Sequence, residues 1–136
     1  MKIAFATQDL KTADAHFGWA ANIAIYELGP DSWHHAHTVV FEDRPEEDGN
    51  EDKLVARIEA IQDCALLYVT AIGGSAAARV VAKKVHPIKL PAPEPIEALL
   101  AKLQAVLNGV PPPFLRKAMQ RDQERSLDFE TGDLAA

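Results

Sequence analysis

The sequence predicts a single α/β domain built on a mixed five-stranded sheet, and three observations carry this prediction. Along the 136 residues, short apolar runs alternate with segments of helical spacing in the order β-β-β-α-β-α-β-α. The second and third runs are separated by only a few residues, which indicates an antiparallel hairpin. The fourth run, ALLYVT at 65–70, is apolar at nearly every position, as in a strand with helices on both faces.

The five predicted strands follow from apolar runs bounded by turn residues. They are KIAFAT at 2–7, NIAIYEL at 22–28, SWHHAHTVVFE at 32–42, ALLYVT at 65–70 and HPIKL at 86–90. If the first strand is central, with the hairpin on one side and the last two strands on the other, the sheet order is 3-2-1-4-5. An acidic, turn-rich loop, DRPEEDGN at 43–50, separates the hairpin from the first helix.

Three helices are predicted from apolar residues at helical spacing. The first, over 51–63, buries Leu54, Val55, Ile58 and Ile61 and turns Lys53, Arg57 and Glu59 outward. The second follows the glycine turn in AIGGSAAARVVAKK at 71–84, and the third covers APEPIEALLAKLQAVLNG at 92–109. Beyond them, the Pro-led segment 111–136 is predicted to hold a mixed-charge helix at 114–125 and an acidic tail.

Composition and charge narrow the classes of function. The 14 Lys and Arg residues against 20 Asp and Glu give a net charge of -6, which disfavours binding to duplex DNA. No apolar run reaches the roughly 20 residues that span a bilayer, and the N-terminus lacks the pattern of a signal peptide. We therefore expect a cytoplasmic protein with no nucleic-acid or membrane partner. The single cysteine, Cys64, excludes an internal disulfide and a site made of four thiolates from one chain.

The predicted sheet reverses its winding between the first and fourth strands. Such a switch point is where α/β sheets bind ligands, beyond the carboxyl ends of the strands. Two loops converge there, TQDLKTADAHFGWA at 7–20 and AIGGSA at 71–76. His16 is therefore expected to face the glycine turn at 73–74.

His16 has three interpretations from its sequence context. It could anchor the loop through hydrogen bonds with the backbone, act as a general base, or bind a metal, since imidazole is the commonest side-chain metal ligand. A base would need a nucleophile partner, and no obvious one is evident in the sequence. In the metal interpretation Asp14 orients the imidazole ring, and Gly18 lets the backbone approach a bulky ligand.

The glycine turn is a candidate anion site. Gly73 and Gly74 lead into a helix that Ser75 is expected to cap, and the free N–H groups at such a helix end attract anions. Arg79, about one helical turn further, would aim at the same anion. The alternative is a tight strand-to-helix turn followed by a solvated arginine.

The other histidines and the cysteine are interpreted as structural. Strand alternation would place His35 and His37 on one face and His34 on the other. A solvated strand face is favoured over a metal site, because no carboxylate or cysteine cluster completes the set. Cys64 is expected to be a small buried residue. His86 is expected to begin the fifth strand, at the sheet edge opposite His16.

The order of motifs along the chain carries a family resemblance. MKIAFAT, DAHFGWA, IYEL, CALLYVTAIGGSAAARVV, HPIKL and PPPFLRKAM resemble the NifX family of nitrogenase iron–molybdenum cofactor biosynthesis proteins, over residues 1–119. The resemblance implies a ribonuclease H-like three-layer α/β/α fold, with a NifX-like cofactor-binding domain at 1–110 and a C-terminal extension at 111–136. The family histidine of the HFG motif matches His16.

The resemblance also implies a non-catalytic carrier rather than an enzyme. Its cargo would be an iron–sulfur precursor cluster of the NifB-co type or the finished iron–molybdenum cofactor. The carrier would exchange that cargo with the precursor-cluster synthase and the cofactor-maturation scaffold complex of nitrogenase assembly. The implied cofactor-binding residues are His16, as the metal ligand, with Phe17, Gly18, Gly73, Gly74, Ser75 and Arg79.

Two other classes of function stay open. A ribonuclease H-like hydrolase needs acidic residues on the central strands, and the first and fourth strands contain none. A cofactor-free adaptor would dock partners through PPPFLRKAMQRDQER at 111–125. Packing of Phe114 and Leu115 on the core would explain that segment equally well.

Overall fold

The computed structural model describes residues 1–42 and 51–135, so the predicted acidic loop at 43–50 lies outside the described residues. The described strands are β1 (Lys2–Thr7), β2 (Thr12–Ala13), β3 (Asn22–Leu28), β4 (Trp33–Val40), β5 (Leu66–Val69), β6 (His86–Lys89) and β7 (Glu94–Pro95). The described helices are α1 (Glu51–Ile61), α2 (Gly74–Ala82), α3 (Ile96–Asn108) and α4 (Pro113–Ala135). A short 3-10 turn covers Phe17–Trp19.

A mixed sheet of five strands, in the order β4-β3-β1-β5-β6, forms the centre of the fold. β1 pairs antiparallel with β3 and parallel with β5, and β5 pairs parallel with β6. The predicted α/β class with a five-stranded mixed sheet is therefore confirmed. β1 is the strand at which the winding of the sheet reverses, so the loops after β1 and β5 leave the same edge of the sheet.

Helices cover both faces of this sheet. On one face, Ile58 and Ile61 of α1 and Val80 of α2 pack with the apolar residues of the strands, and all three are buried. On the other face, Leu99 and Leu100 of α3 and Leu115 of α4 are buried against the same sheet. The strands alternate their side chains between these two cores, which is why β1 and β5 are apolar at consecutive positions.

Helix α1 faces the core differently from the prediction. Arg57 is only 2% exposed and Lys53 only 7%, whereas Val55, predicted to be buried, is 39% exposed. Apolar spacing alone placed the two cations outside, but their long side chains run along the inner surface and contact aromatic rings with their charged ends. Each cation thereby gains a polar or aromatic partner, so burying it is tolerated.

A β-bulge changes the predicted placement of the histidines on β4. The register pairs Ile25 with His37 and Tyr26 with His35, so Ala36 is the extra residue. His35 therefore shares a face with Tyr26, and its ring packs edge-on against the Tyr26 ring at 5.2 Å. The predicted grouping of His35 with His37 is wrong, since the bulge reverses the alternation and puts His37 on the other face.

Two short elements were absent from the prediction. β2 and β7 have two residues each and pair antiparallel, with Thr12 opposite Pro95 and Ala13 opposite Glu94. Two residues are too few for apolar periodicity to be detected. This small ribbon fixes the middle of the loop that follows β1 against the start of α3.

The segment after residue 110 is a helix that reaches the core. α4 extends the helix predicted at 114–125 in both directions, and Leu115 and Ala118 are buried against the α3 side of the sheet. The Phe114 ring stacks on the ring of His86 with centroids 4.9 Å apart. Over the residues that the structure describes, no helix combines the length and the apolar character needed to cross a bilayer.

Candidate functional site

The loops after β1 and β5 are joined by backbone hydrogen bonds. His16 forms an isolated parallel bridge with Ala71. The Phe17 N–H donates to the Ala71 carbonyl oxygen at 2.9 Å, and the Thr70 N–H donates to the Ala15 carbonyl oxygen at 3.0 Å. The loop that carries His16 thus runs beside the exit of β5, and His16 and the glycine turn lie at the same edge of the sheet.

Side chains from the same loop hold the 3-10 turn in place. The Gln8 amide donates to the Trp19 carbonyl oxygen at 3.0 Å and accepts from the Ala21 N–H at 2.8 Å. The Gln8 N–H in turn donates to the Asp14 carboxylate at 2.8 Å. The sequence predicts that Asp14 orients the imidazole of His16, but its carboxylate instead accepts this hydrogen bond from the backbone of Gln8. Its role is to shape the loop.

Helix α1 also contacts the 3-10 turn, through the side chain of Arg57. An Arg57 Nη donates to the Ala20 carbonyl oxygen at 2.7 Å, and the guanidinium lies 4.2 Å from the centroid of the Phe41 ring. The second Nη donates to the Lys53 carbonyl oxygen at 3.1 Å, one helical turn away. Arg57 thereby ties the backbone of α1 to the end of the loop that carries His16.

A pocket of about 440 Å³ opens between the two loops and α1. Its volume lies within the range of roughly 300–1,000 Å³ found for small-molecule sites. The 3-10 turn forms one wall, the strand-to-helix turn forms the second, and the start of α1 forms the third. The residues lining it are His16, Phe17, Gly18, Trp19, Lys53, Leu54, Ala71, Ile72, Gly73, Ser75 and Ala76.

Most of the predicted site residues meet at this pocket, but two do not. His16 is exposed at the pocket, and Gly18, Gly73 and Ser75 also line it. The side chain of Phe17 is fully buried in the core beneath the pocket, where it anchors the loop. Gly74 and Arg79 are not among the lining residues. Arg79 lies in the last turn of α2 because this helix is only nine residues long.

The predicted cap of α2 is also different. Gly73 occupies the cap position and no side chain caps the helix, so Ser75 lies within the first turn. The Gly73 carbonyl oxygen accepts the first helical hydrogen bond, from the Ala77 N–H at 2.8 Å. The N–H groups of the first turn have no intrahelical partner, which leaves this end of α2 suited to an anion.

The pocket glycines leave space. A Cβ added to Gly18 or Gly73 would meet no atom within 4 Å, so neither position is crowded by the protein. Gly73 has φ −69° and ψ 153°, which any residue can adopt. Neither backbone strain nor internal packing therefore requires glycine at position 73, and what its missing side chain provides is room beside His16.

Sequence reasoning missed Lys53 and Trp19. The Lys53 ammonium lies 4.3 Å from the centroid of the Trp19 ring, and both residues line the pocket. Among the described lining residues, Lys53 carries the formal charge. The sequence signal that could have indicated a buried Lys53 is its position four residues before Arg57. Residues spaced by four lie on the same face of a helix, so a rotation of α1 that buries one of these cations also buries the other.

The donor set for a metal is small. Across the described residues, no group of three or more His, Cys, Asp or Glu side chains is arranged to hold a metal ion. His16 is the imidazole at the pocket, while Cys64 is buried two residues before β5 and His86 begins β6 at the opposite edge. The pocket can therefore offer one imidazole, one ammonium group and the backbone N–H groups of α2.

Comparison with known proteins gives a family match and several relatives. Residues 1–106 match the family model described as dinitrogenase iron–molybdenum cofactor. The chain is 57% identical to Protein NifX of Herbaspirillum seropedicae over 130 residues, 96% of this chain and 89% of that protein. It is 38% identical to Protein NifX of Azotobacter vinelandii over 121 residues, 89% of this chain and 76% of that protein. Protein NifY of Azotobacter vinelandii is 33% identical over 129 residues, which cover 95% of this chain and 52% of NifY.

A solved structure has a similar fold. The crystal structure of PH0822 aligns with a TM-score of 0.59 over 77% of this chain and 89% of that chain. Sequence identity in this alignment is 15%, so the likeness concerns the fold alone.

Proposed function

This chain belongs to the dinitrogenase iron–molybdenum cofactor family and, within it, to the NifX family, and on that premise we propose that it is a non-catalytic carrier of metal–sulfur cargo. Its role lies in nitrogenase cofactor biosynthesis. The proposed cargo is an iron–sulfur precursor cluster or the iron–molybdenum cofactor. The proposed site is the pocket between the 3-10 turn, the glycine turn and the start of α1.

One observation carries this proposal. His16 and Gly73 line the same open pocket, and the bridge between His16 and Ala71 holds the two loops side by side. An exposed imidazole beside uncrowded glycines has the chemistry to bind one metal of a cluster while the rest of the cluster occupies the free space. His16 and Ser75 both line the pocket, but within the described residues no hydrogen bond joins the Ser75 hydroxyl to the imidazole. The pair is therefore not arranged as an activated nucleophile and its base, which favours carrying over catalysing.

The small number of ligands suits transfer. Iron–sulfur clusters are ordinarily held by four cysteine thiolates, an arrangement that retains the cluster. A single imidazole supported by N–H groups of α2 would bind an anionic cluster and still release it. We propose that the donor is the precursor-cluster synthase and the acceptor is the cofactor-maturation scaffold complex.

The sheet with helices on both faces forms three layers, which is compatible with a ribonuclease H-like fold, and we adopt that fold assignment as part of the proposal. A hydrolase is not favoured, because β1 and β5 contain no acidic residue that could hold a catalytic metal pair. A cofactor-free adaptor is not favoured either, since Leu115 in the suggested docking segment is fully buried.

The proposal is tested by anaerobic titration of the protein with isolated iron–molybdenum cofactor, followed by absorption and electron paramagnetic resonance spectra. We expect the wild-type protein to form a complex and the His16→Ala variant to bind at least about tenfold more weakly. Replacing a residue that only hydrogen-bonds to a metal ligand already lowers metal affinity about tenfold or more, and removing the ligand itself should lower the affinity at least as much. The spectrum of the bound cluster should also change, since one metal loses its nitrogen ligand.

His34→Ala is the matched control. His34 is exposed on β4, outside the pocket, so its replacement removes an imidazole without touching the site. Equal affinity and identical spectra for the wild-type and His16→Ala proteins would contradict the assignment of His16. Absence of any complex with the wild-type protein would contradict the carrier function itself.

A further inference from the structure

Resting on the proposed function, we infer that Lys53 is the residue by which the pocket selects an anionic cargo. The inference concerns a second contact, formed by an ion pair, in addition to the imidazole of His16. It predicts that the ligand presents negatively charged sulfide or carboxylate groups on the side that faces α1.

The placement of Lys53 is the first argument. The side chain is almost entirely enclosed, since the residue is only 7% exposed, yet it lines the pocket. Its ammonium nitrogen is not among the fully buried polar atoms without a partner, so it keeps some accessible surface. Within the described part of the chain, that ammonium has no hydrogen-bond or ion-pair partner, and it lies over the face of the Trp19 ring. A cation at such a position retains its capacity to bind an anion.

The second argument is how the ammonium is held. A cation over an indole ring is attracted to it by the ring quadrupole but keeps its N–H donors available on the other side. Arg57 fixes the backbone at Lys53 by donating to its carbonyl oxygen at 3.1 Å. The cation is thereby pre-positioned, so little side-chain freedom is lost when an anion arrives.

The third argument is charge. The protein has a net charge of -6, which on its own repels an anionic cluster at long range. The described residues that line the pocket include Lys53 and no carboxylate. The Lys53 ammonium and the N–H groups of α2 face the pocket from different walls, so an anion between them meets positive potential from two directions.

The test uses tetrathiomolybdate, a small metal–sulfide dianion, as the probe, with tryptophan fluorescence as the readout. Trp19 is 43% exposed at the pocket wall, so an anion that binds beside Lys53 should change its emission. We expect Lys53→Met to weaken binding by about tenfold to a hundredfold, the loss of one charge-assisted hydrogen bond. Affinity of the wild-type protein should fall with added salt more steeply than affinity of the variant.

Methionine is chosen because it keeps much of the buried alkyl chain of lysine, and urea unfolding checks that each variant is folded. Lys53→Arg restores the charge and should recover part of the affinity. Lys117→Met, on the exposed surface of α4, makes the same change in net charge away from the pocket and should bind as the wild type does.

Unchanged binding and unchanged salt dependence in folded Lys53→Met would overturn the inference, as would failure of the wild-type protein to bind the dianion. The proposed function is judged separately, by binding of the iron–molybdenum cofactor itself to the wild-type and His16→Ala proteins. If those two proteins behave as proposed but Lys53→Met retains full affinity, the carrier function stands and charge selection by Lys53 does not.

Discussion

Asp9 illustrates how one side chain shapes the loop that leads to His16. One oxygen of its carboxylate accepts from the N–H groups of Lys11 and Thr12, at 2.9 and 2.8 Å, and the other accepts from the Thr12 hydroxyl at 3.0 Å. The chain makes a sharp turn here, with Leu10 in the left-handed region at φ 69°. The carboxylate compensates for this turn by satisfying backbone donors that the turn exposes.

These hydrogen bonds predict a dependence of stability on pH. The backbone N–H groups of Lys11 and Thr12 lower the pKa of the Asp9 carboxyl below its ordinary value of 3.8. The stabilising contribution is therefore complete above pH 3.8 and is lost as the pH falls through the lower pKa of the folded state. The urea midpoint of Asp9→Ala should lie below that of the wild type at neutral pH, and the gap should narrow in acid.

Asp31→Ala is the control for the urea midpoint of Asp9→Ala, because Asp31 is an exposed aspartate in the turn between β3 and β4. A gap between wild type and Asp9→Ala that stays constant from neutral pH to strong acid would contradict the assigned role of the Asp9 carboxylate.

Among single residues, motif and loop position predicted that His16 and Gly73 lie at the same edge of the sheet. The sequence did not predict that Lys53 lies at the pocket, because apolar spacing placed it on the outer face of α1. The loops after β1 and β5 leave the same edge of the sheet, so the predicted topology alone indicates that their residues lie close together. The contact of Lys53 with Trp19 depends on how α1 is rotated, and apolar spacing determines that rotation poorly when long cations lie on the inner face. The charge of Arg79 and its nearness in sequence to the glycine turn predict a contact with the same anion, but its place in the last turn of α2 removes it from the pocket lining.

Helix α1 is the element on which the pocket wall depends. It contributes Lys53 and Leu54 to the pocket, and Arg57 binds it to Ala20 at the end of the neighbouring loop. The two-residue strands β2 and β7 fix the same loop from its other side. These tertiary contacts, rather than local propensity, determine the shape of the site, which explains why the elements were predicted better than the pocket.

Replacing Arg57 should therefore loosen this element. In Arg57→Met the Ala20 carbonyl oxygen loses a 2.7 Å charged donor in a buried setting, and we expect a loss of about 1–3 kcal/mol in the free energy of unfolding. Urea unfolding monitored by circular dichroism measures the change. Arg116→Met, which alters an exposed arginine of α4, should stay close to the wild type. Equal losses for both variants would contradict a specific role for Arg57.

The C-terminal helix bears on the organisation of the whole chain. The subdivision into residues 1–110 and 111–136 stays a prediction, yet Leu115 and Ala118 belong to the same core as α3 and the sheet. The sequence left open whether this segment packs or docks a partner, because Pro111–Pro113 mark only where a helix is interrupted. Which side chains of α4 reach the core depends on the direction in which the chain leaves that break.

Leu115→Ala tests whether α4 is integral to the fold. Because Leu115 is fully buried, truncating it should cost about 2–5 kcal/mol in the free energy of unfolding. Val110→Ala is the reference, since Val110 is 89% exposed and its truncation removes almost no buried surface. A change for Leu115→Ala as small as that for Val110→Ala, in the same chemical denaturation experiment, would mean that α4 is a separable appendage.

The two border strands of the sheet have a consequence for self-association. An unpaired strand border offers N–H and C=O groups on which another polypeptide can align, the first step towards fibrils. The bulge at Ala36 interrupts that template in β4, and Pro87 removes a donor from β6, which has only four residues. Both borders of the sheet are thereby poor templates for pairing with a second copy of this chain.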